Sequence, residues 1–285
     1  MKDTFFCSNF QLNFRGNLKT YERPIVMGIL NITEDSFYAE SRLNEANEIV
    51  EKASKMLHEG AGILDIGAYS SRPGAKDVPV EIEKVNAVKA IRAILELHPE
   101  AILSVDTFRS EVAAAAIDAG ALMINDISGG IQDPAIFNLA AEKTVPLVLM
   151  HMKGTPQNMQ NNCNYENLIK EVIYFLQQQI NAARKAGVND IIVDPGFGFS
   201  KDLDQNYTLL KELERFSLLE APLLAGLSRK SMIYKKLGSS PGEALNGTSV
   251  LNTVALNKGA AILRVHDVKA ANEAITLTEA IHCAE

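Results

Sequence analysis

The sequence lacks the features that mark secreted, membrane-spanning and nucleic-acid-binding proteins. Its three cysteines, Cys7, Cys163 and Cys283, are too widely spaced for a disulfide framework or a metal cluster. No segment approaches the roughly 20 apolar residues of a membrane-spanning helix, and the amino terminus has no long apolar signal core. The formal net charge of -7 argues against a surface for nucleic acid or anionic lipid. We therefore expect a soluble protein of the reducing cytoplasm, with neither nucleic acid nor membrane as a partner.

The sequence also lacks a linker, since no stretch rich in proline, glycine or serine divides its 285 residues. Short apolar runs instead alternate with segments of helical periodicity throughout the chain. Apolar runs without polar alternation are typical of parallel strands buried on both faces, and the periodic segments are typical of the helices between such strands. This alternation predicts an α/β fold, a single (β/α)8 TIM barrel, which takes up roughly 250 residues.

The first 22 residues have a different pattern. Phe10, Leu12 and Phe14 alternate with polar residues and precede a turn-forming segment at 15–17. Such alternation predicts a β-hairpin, which we expect to close the amino end of the barrel. We therefore divide the chain into an N-terminal extension, residues 1–22, and a barrel domain, residues 23–285.

Several predicted strands end in acids or amides. Active sites of parallel barrels lie at the carboxyl ends of the strands, so we expect Asp106, Asn125 and Asp194 to face one cavity. Their oxygens suit a flat heterocycle that carries several N–H donors. The alternative for each residue is a helix cap or a salt bridge without a binding role.

The last two predicted strands end in cations instead. Lys230, Arg264 and His266 occupy the sector in which such barrels often hold phosphate, so we expect a phosphorylated substrate. The segment 228–231 is typical of a helix start with free backbone N–H groups. We interpret Arg229, within that segment, as the partner of a surface salt bridge. His151 follows another strand; the alternatives for it are a direct role in the chemistry and a hydrogen-bonded structural role, of which we favour the second.

Two segments, 31–37 and 70–75, combine turn-forming residues with reactive polar groups. This composition is typical of mobile loops over the mouth of a barrel. Asn31 begins the first of them and offers one oxygen to a hydrated divalent cation that bridges a diphosphate. The sequence shows no dedicated metal cage.

Eight segments together resemble the motif series of dihydropteroate synthase, in the same order, from about residue 24 to residue 268. The most distinctive is Asp194-Pro195-Gly196-Phe197-Gly198-Phe199. The full set comprises residues 28–37, 71–75, 104–107, 125–130, 150–156, 194–199, 228–230 and 264–268.

The resemblance implies a transferase of folate biosynthesis. Such an enzyme joins 6-hydroxymethyl-7,8-dihydropterin diphosphate to 4-aminobenzoate, releases diphosphate and 7,8-dihydropteroate, uses Mg²⁺ and is inhibited by sulfonamides. The resemblance also implies that the protein is a homodimer. The implied pterin ligands are Asp106, Asn125, Asp194 and Lys230, and the implied diphosphate ligands are Asn31, Arg264 and His266, with Asn31 also on the metal. The implied 4-aminobenzoate pocket contains Ser71, Pro73, Phe199, Lys230 and Ser231, and the implied catalytic residues are Asp35, Ser71, Arg72 and Lys230.

The side chains suit this chemistry. Diphosphate leaves readily once cations neutralise it, and the pterin delocalises the positive charge left on its methylene carbon, so bond cleavage can precede amine attack. No protein nucleophile is then required, and the sequence has no Ser-His-Asp or Cys-His arrangement. Asp35 would close over the developing cation, while Ser71 and Arg72 would seat the amine.

The sequence departs from the family pattern at Glu34, at 68–69 and at Ser71. Proline is usual at the first position, Gly-Glu is usual where Ala68-Tyr69 stands, and threonine is usual at the third. None of these changes removes an expected ligand. The alternatives are a methyltetrahydrofolate-dependent corrinoid methyltransferase, which needs no diphosphate sector, and a non-catalytic pterin-binding paralogue.

Overall fold

The protein is described from a computed structural model, which covers residues 9–32, 42–69 and 77–284. Within these ranges, eight parallel strands close into a barrel with helices between them. The first four strands of the barrel are β3 (Ile25–Asn31), β4 (Ile63–Gly67), β5 (Leu103–Asp106) and β6 (Met123–Asp126). The remaining four are β7 (Leu147–Met150), β8 (Ile191–Asp194), β9 (Leu223–Ala225) and β10 (Ala260–Val265). The predicted TIM barrel is thus confirmed.

The strands follow chain order around the barrel, and β10 closes it by pairing with β3. Every residue of β4 to β9 is buried. Such strands have side chains in the barrel interior on one face and against the helices on the other, so nearly all of them must be apolar. This is why the strands were recognisable as near-continuous apolar runs.

The helices pack around the outside of the barrel. Each buries its apolar stripe against the strands, as the helical periodicity predicted. The helices in the described ranges are α1 (Arg42–His58), α2 (Val80–Leu97), α3 (Ser110–Asp118), α4 (Ala135–Lys143), α5 (Leu168–Lys185), α6 (Leu203–Lys211), α7 (Ser231–Leu237), α8 (Leu245–Asn257) and α9 (Val268–Cys283). Within the described ranges, none of the helices is long and apolar enough to cross a membrane.

The N-terminal hairpin consists of β1 (Phe10–Phe14) and β2 (Asn17–Tyr21), which pair antiparallel. Phe10, Leu12 and Phe14 are buried and pack against residues near the amino ends of the barrel strands, such as Ile63 and Met123. The hairpin therefore closes the amino end of the barrel, and this prediction is confirmed. The exact division of the chain at residues 22 and 23 stays a prediction.

The connection after β6 is a tight turn held by Asp126. One carboxylate oxygen accepts from the backbone N–H of Ser128 (2.7 Å), and the other accepts from that of Gly130 (2.6 Å). Gly130 has a φ of 83°, and a Cβ added there would lie 2.0 Å from Cζ of Phe137 on α4. Only glycine suits this position, because both the backbone angle and the packing exclude a side chain.

We predict that Gly130→Ala lowers the free energy of unfolding by about 3 kcal/mol, since it combines a left-handed backbone with overpacking. Gly238→Ala is the matched control, because Gly238 also has a positive φ of 64° but nothing within 4 Å of the added Cβ. The control substitution should lower the free energy of unfolding by about 1 kcal/mol. Urea unfolding measures both values, and equal losses would contradict the packing argument.

Candidate active site

The register of the strands places several expected site residues side by side. Asn31 on β3 pairs with Gly67 on β4, Gly67 pairs with Asp106 on β5, and Asp106 pairs with Asn125 on β6. A Cβ added to Gly67 would lie 3.1 Å from Oδ1 of Asn31 and 3.8 Å from Oδ2 of Asp106. Three of the expected residues therefore form one row along the carboxyl-end rim, with Gly67 providing space between Asn31 and Asp106.

The guanidinium of Arg264 on β10 lies between two carboxylates. Its Nε donates to Oδ2 of Asp65 (2.6 Å) and its Nη2 donates to Oδ2 of Asp106 (2.5 Å). Burial raises the pKa of the Asp106 carboxyl, while the charge of Arg264 acts in the opposite direction. The resemblance implied that Arg264 binds the diphosphate and that Asp106 binds the pterin. In the structure the two side chains form one ion pair.

Sequence reasoning missed Asp65. Its side chain is fully buried, and Oδ2 also accepts from Nδ2 of Asn125 (2.8 Å), so this carboxylate orients both Asn125 and Arg264. Within the described ranges, Oδ1 of Asp65 has no hydrogen-bond partner. The sequence did contain a signal, because Asp65 interrupts the apolar run of β4 and a carboxylate is rarely buried without a partner.

Asp194 and Lys230 form the opposite side of the rim. Asp194 ends β8, is buried, and accepts from the backbone N–H of Gly196 (2.7 Å). Burial raises the pKa of Asp194, and the charge of Lys230 counteracts this. Burial likewise lowers the pKa of Lys230 to about 8, against the attraction of Asp194. The two groups stabilise each other's charges in a desolvated position.

Lys230 also connects the β8 turn with the start of α7. Its Nζ donates to the backbone oxygen of Phe197 and lies 4.8 Å from the ring centre of Phe199. Ser231, the next residue, begins α7. Lys230, Phe199 and Ser231 are therefore brought together, as expected for one pocket.

The last of the expected cationic residues, His266, directly follows β10. The backbone N–H of His266 donates to Oγ of Ser228 (3.1 Å), and its Nδ1 lies 3.0 Å from the same oxygen. Arg229 instead forms a two-point ion pair with Asp267, at 2.8 and 2.9 Å. The interpretation of Arg229 as a salt-bridge partner is confirmed.

A second buried residue was missed, Lys201, in the connection between β8 and α6. Its side chain contacts His151 and the backbone of the turn that follows Asp194. Burial lowers the pKa of His151 to about 2, so the ring is neutral and its Nδ1 accepts a hydrogen bond from Lys201. This arrangement is consistent with the structural role predicted for His151. Lys201 followed no apolar run, and its sequence context gave no sign that it is buried.

Asp35, Ser71, Arg72 and Pro73 lie outside the described residues. Tyr69, which stands where the family usually has glutamate, lies within the described residues and is buried. Its hydroxyl oxygen accepts from Nε2 of Gln157 (2.6 Å), and its ring meets that of Phe108 edge-on, with 5.2 Å between the ring centres. The guanidinium of Arg109 lies 5.2 Å from the same ring. Tyr69 therefore joins the end of β4 to the connections after β5 and β7.

Comparisons with known proteins point to one family. The family model described as "Pterin binding enzyme" matches residues 27–266. The dihydropteroate synthase of Escherichia coli (strain K12) is 40% identical over 268 residues, which cover 93% of this chain and 94% of that protein.

Two solved structures have the same fold over nearly the whole chain. Dihydropteroate synthase of Xanthomonas albilineans with 4-aminobenzoic acid has a TM-score of 0.89 at 38% identity, covering 98% of this chain and 100% of that one. A sulfonamide complex of the Yersinia pestis dihydropteroate synthase has a TM-score of 0.89 at 39% identity, covering 96% and 100%. The chain therefore belongs to the dihydropteroate synthase family of pterin-binding enzymes.

Proposed function

We propose that this protein is the dihydropteroate synthase of folate biosynthesis, a transferase that joins 6-hydroxymethyl-7,8-dihydropterin diphosphate to 4-aminobenzoate. The observation that carries the proposal is the single rim on which Asp106, Asn125 and Asp194 face Lys230 and Arg264. The family membership and the ligands named for its solved relatives support it. Sulfonamides, as mimics of 4-aminobenzoate, are the expected inhibitors.

The acids and the amide of the rim would bind the pterin. Its edge carries several N–H donors, and the buried oxygens of Asp106, Asn125 and Asp194 are acceptors in a site where an unpaired donor would be costly. Asp65 holds Asn125 and Arg264 in place for this contact. Lys230 counteracts the rise that burial causes in the pKa of Asp194, and so favours the ionised form, which is an acceptor only.

The cations of the rim would bind the diphosphate. Arg264 and His266 would neutralise the negative charge that builds up as the bond between the methylene carbon and the diphosphate oxygen breaks. The amine of 4-aminobenzoate would then attack the carbon and lose a proton, with its ring beside Phe199 and its carboxylate near Lys230 and the Ser231 N–H. Positioning and charge stabilisation account for this reaction without a protein nucleophile.

The donor set at Asn31 fits Mg²⁺. The described ranges contain no cluster of three His, Cys, Asp or Glu able to hold a metal ion, and Asn31 contributes one exposed amide oxygen. Mg²⁺ keeps most of its waters and is commonly held by one or two protein oxygens together with substrate phosphates. Asn31 would hold the ion, which would supply additional neutralisation of the diphosphate.

Asp35, Ser71, Arg72 and Pro73 stay assigned as in the sequence analysis, to the developing cation and to the amine substrate. The homodimer and the cytoplasmic location likewise stay predictions. A corrinoid methyltransferase is disfavoured, because the 40% identical relative is a synthase over nearly its full length. A measurement of enzymatic activity tests the other alternative, a non-catalytic pterin-binding paralogue.

We predict that the purified protein releases diphosphate from 6-hydroxymethyl-7,8-dihydropterin diphosphate in the presence of Mg²⁺, and that release depends on 4-aminobenzoate. A coupled diphosphate assay follows the reaction, and mass spectrometry identifies 7,8-dihydropteroate. Pterin binding without turnover would instead identify the non-catalytic paralogue.

We predict that Asp194→Asn weakens binding of 6-hydroxymethyl-7,8-dihydropterin about a hundredfold, because one charged acceptor becomes a neutral amide that also presents donors. Isothermal titration calorimetry measures the affinity. Asp118→Asn is the control, since Asp118 is an exposed partner of Lys143 on the surface. Undiminished affinity in the Asp194 variant would remove this residue from the pterin site.

We predict that Arg264→Gln weakens binding of the pterin diphosphate by about a hundredfold or more, because the diphosphate loses a charged donor. Binding of the pterin without phosphate also falls, since Asp65 and Asp106 lose their cation, but it falls less. Calorimetry with the two ligands separates these effects. Equal losses would contradict the assignment of Arg264 to the diphosphate.

A further inference from the structure

Lys201 is the most deeply buried lysine among the described residues that the proposed mechanism leaves unused. Only 2% of its surface is exposed. Its Nζ lies 3.0 Å from each of three acceptors, namely Nδ1 of His151 and the backbone oxygens of Gly196 and Phe199. An ammonium group has three N–H donors and no acceptor, so this environment matches its hydrogen-bonding capacity in full.

Both carbonyl groups belong to the glycine-rich turn that begins at the last residue of β8, residues 194–199, which carries three groups of the candidate site. These are the carboxylate of Asp194, the ring of Phe199 and the backbone oxygen of Phe197, which receives Lys230. Lys201 binds the turn at its third and sixth residues. A change at Lys201 would therefore displace the parts of the turn that face the substrate.

His151 contacts the same turn. Its backbone N–H donates to the backbone oxygen of Asp194 (3.0 Å). A Cβ added to Gly196, whose φ is 75°, would lie 2.0 Å from the backbone oxygen of His151, so the two segments are in direct contact. The turn therefore contacts both the backbone of residue 151 and the ammonium of Lys201, and the His151 ring contacts that ammonium.

The charge of Lys201 also acts on Asp194. Burial raises the pKa of this carboxyl, and three cations, Lys230, Arg264 and Lys201, counteract the rise. Lys230 and Arg264 belong to the rim, whereas the three N–H groups of Lys201 are all taken by protein acceptors. Lys201 therefore stabilises the Asp194 carboxylate without being available to touch a substrate.

We propose that Lys201 is a positioning residue of the pterin site, which holds the 194–199 turn in its binding geometry. The inference rests on the proposed function, because it assigns to Lys201 the task of preparing the pterin ligand Asp194. It acts through the turn and through its charge, and not through contact with the reacting atoms.

The state of Lys201 depends on pH. Burial lowers its pKa to about 7, with Asp194 acting in the opposite direction. The ammonium is thus present below neutral pH and is lost as the pH rises through this value. The other titratable and charged groups that act on it are neutral His151, Lys230 after β9, and Cys163 and Lys153 on the connection between β7 and α5.

The test compares binding of 6-hydroxymethyl-7,8-dihydropterin, which lacks phosphate, to the full-length wild type and to Lys201→Met at about pH 6 and about pH 9. The substitution keeps the length of the side chain and removes both its charge and its donors. Lys211→Met is the matched control, because Lys211 is an exposed lysine at the end of α6. Lys201→Gln retains two N–H donors without the charge and serves as a second variant if the methionine protein does not fold.

We expect Lys201→Met to weaken binding about tenfold at the lower pH, where the wild type has the ammonium. The difference should shrink at the higher pH, because the wild-type side chain has then lost its charge. Lys201→Gln should lose less affinity than Lys201→Met, since it can still donate to the turn. The KM for the pterin diphosphate should rise in both variants, while the KM for 4-aminobenzoate changes less.

Unchanged pterin affinity at the lower pH would overturn the inference. So would an equal loss at both pH values, because it would indicate a role in packing alone. A wild-type protein that fails to bind the pterin would refute the proposed function instead, so the two failures are distinguishable.

Discussion

The guanidinium of Arg264 between the carboxylates of Asp65 and Asp106 is the interaction on which the candidate site depends. Three charged groups lie here at the edge of an apolar barrel, where removing each from water is costly unless its partners compensate. The arrangement fixes the directions of both carboxylates, and through Asp65 it also fixes the amide of Asn125. A substrate therefore meets acceptors that are already oriented, which lowers the reorganisation needed on binding.

The same physical requirement organises the opposite side of the rim. Asp194 is buried, so its charge needs cations nearby, and Lys230, Arg264 and Lys201 supply them. Lys230 reaches the pocket side, whereas Lys201 is enclosed by the turn and by His151. Lys230 can therefore contact a ligand, whereas Lys201 maintains the geometry and the charge of Asp194.

Residues at the ends of strands were predictable because topology determines where they go. In a parallel barrel every strand delivers its last residues to the same rim, so Asp106, Asn125 and Asp194 could be assigned to one cavity from their positions in the sequence. Asp65 could have been found by the same reasoning, as a carboxylate inside a buried strand must have a partner. Lys201 could not, since its burial depends on the path of a turn.

The sequence alone determined the (β/α)8 architecture, the closing hairpin, the direction of each strand and the family, because periodicity and strand order are local properties that add up along the chain. Only the tertiary structure decided which charges compensate one another. Arg264 and Asp65 are 199 residues apart, and their contact depends on the closure of the barrel through β10 and β3. Distances of a few ångströms between such groups set their ionisation, and no local pattern in the sequence encodes them.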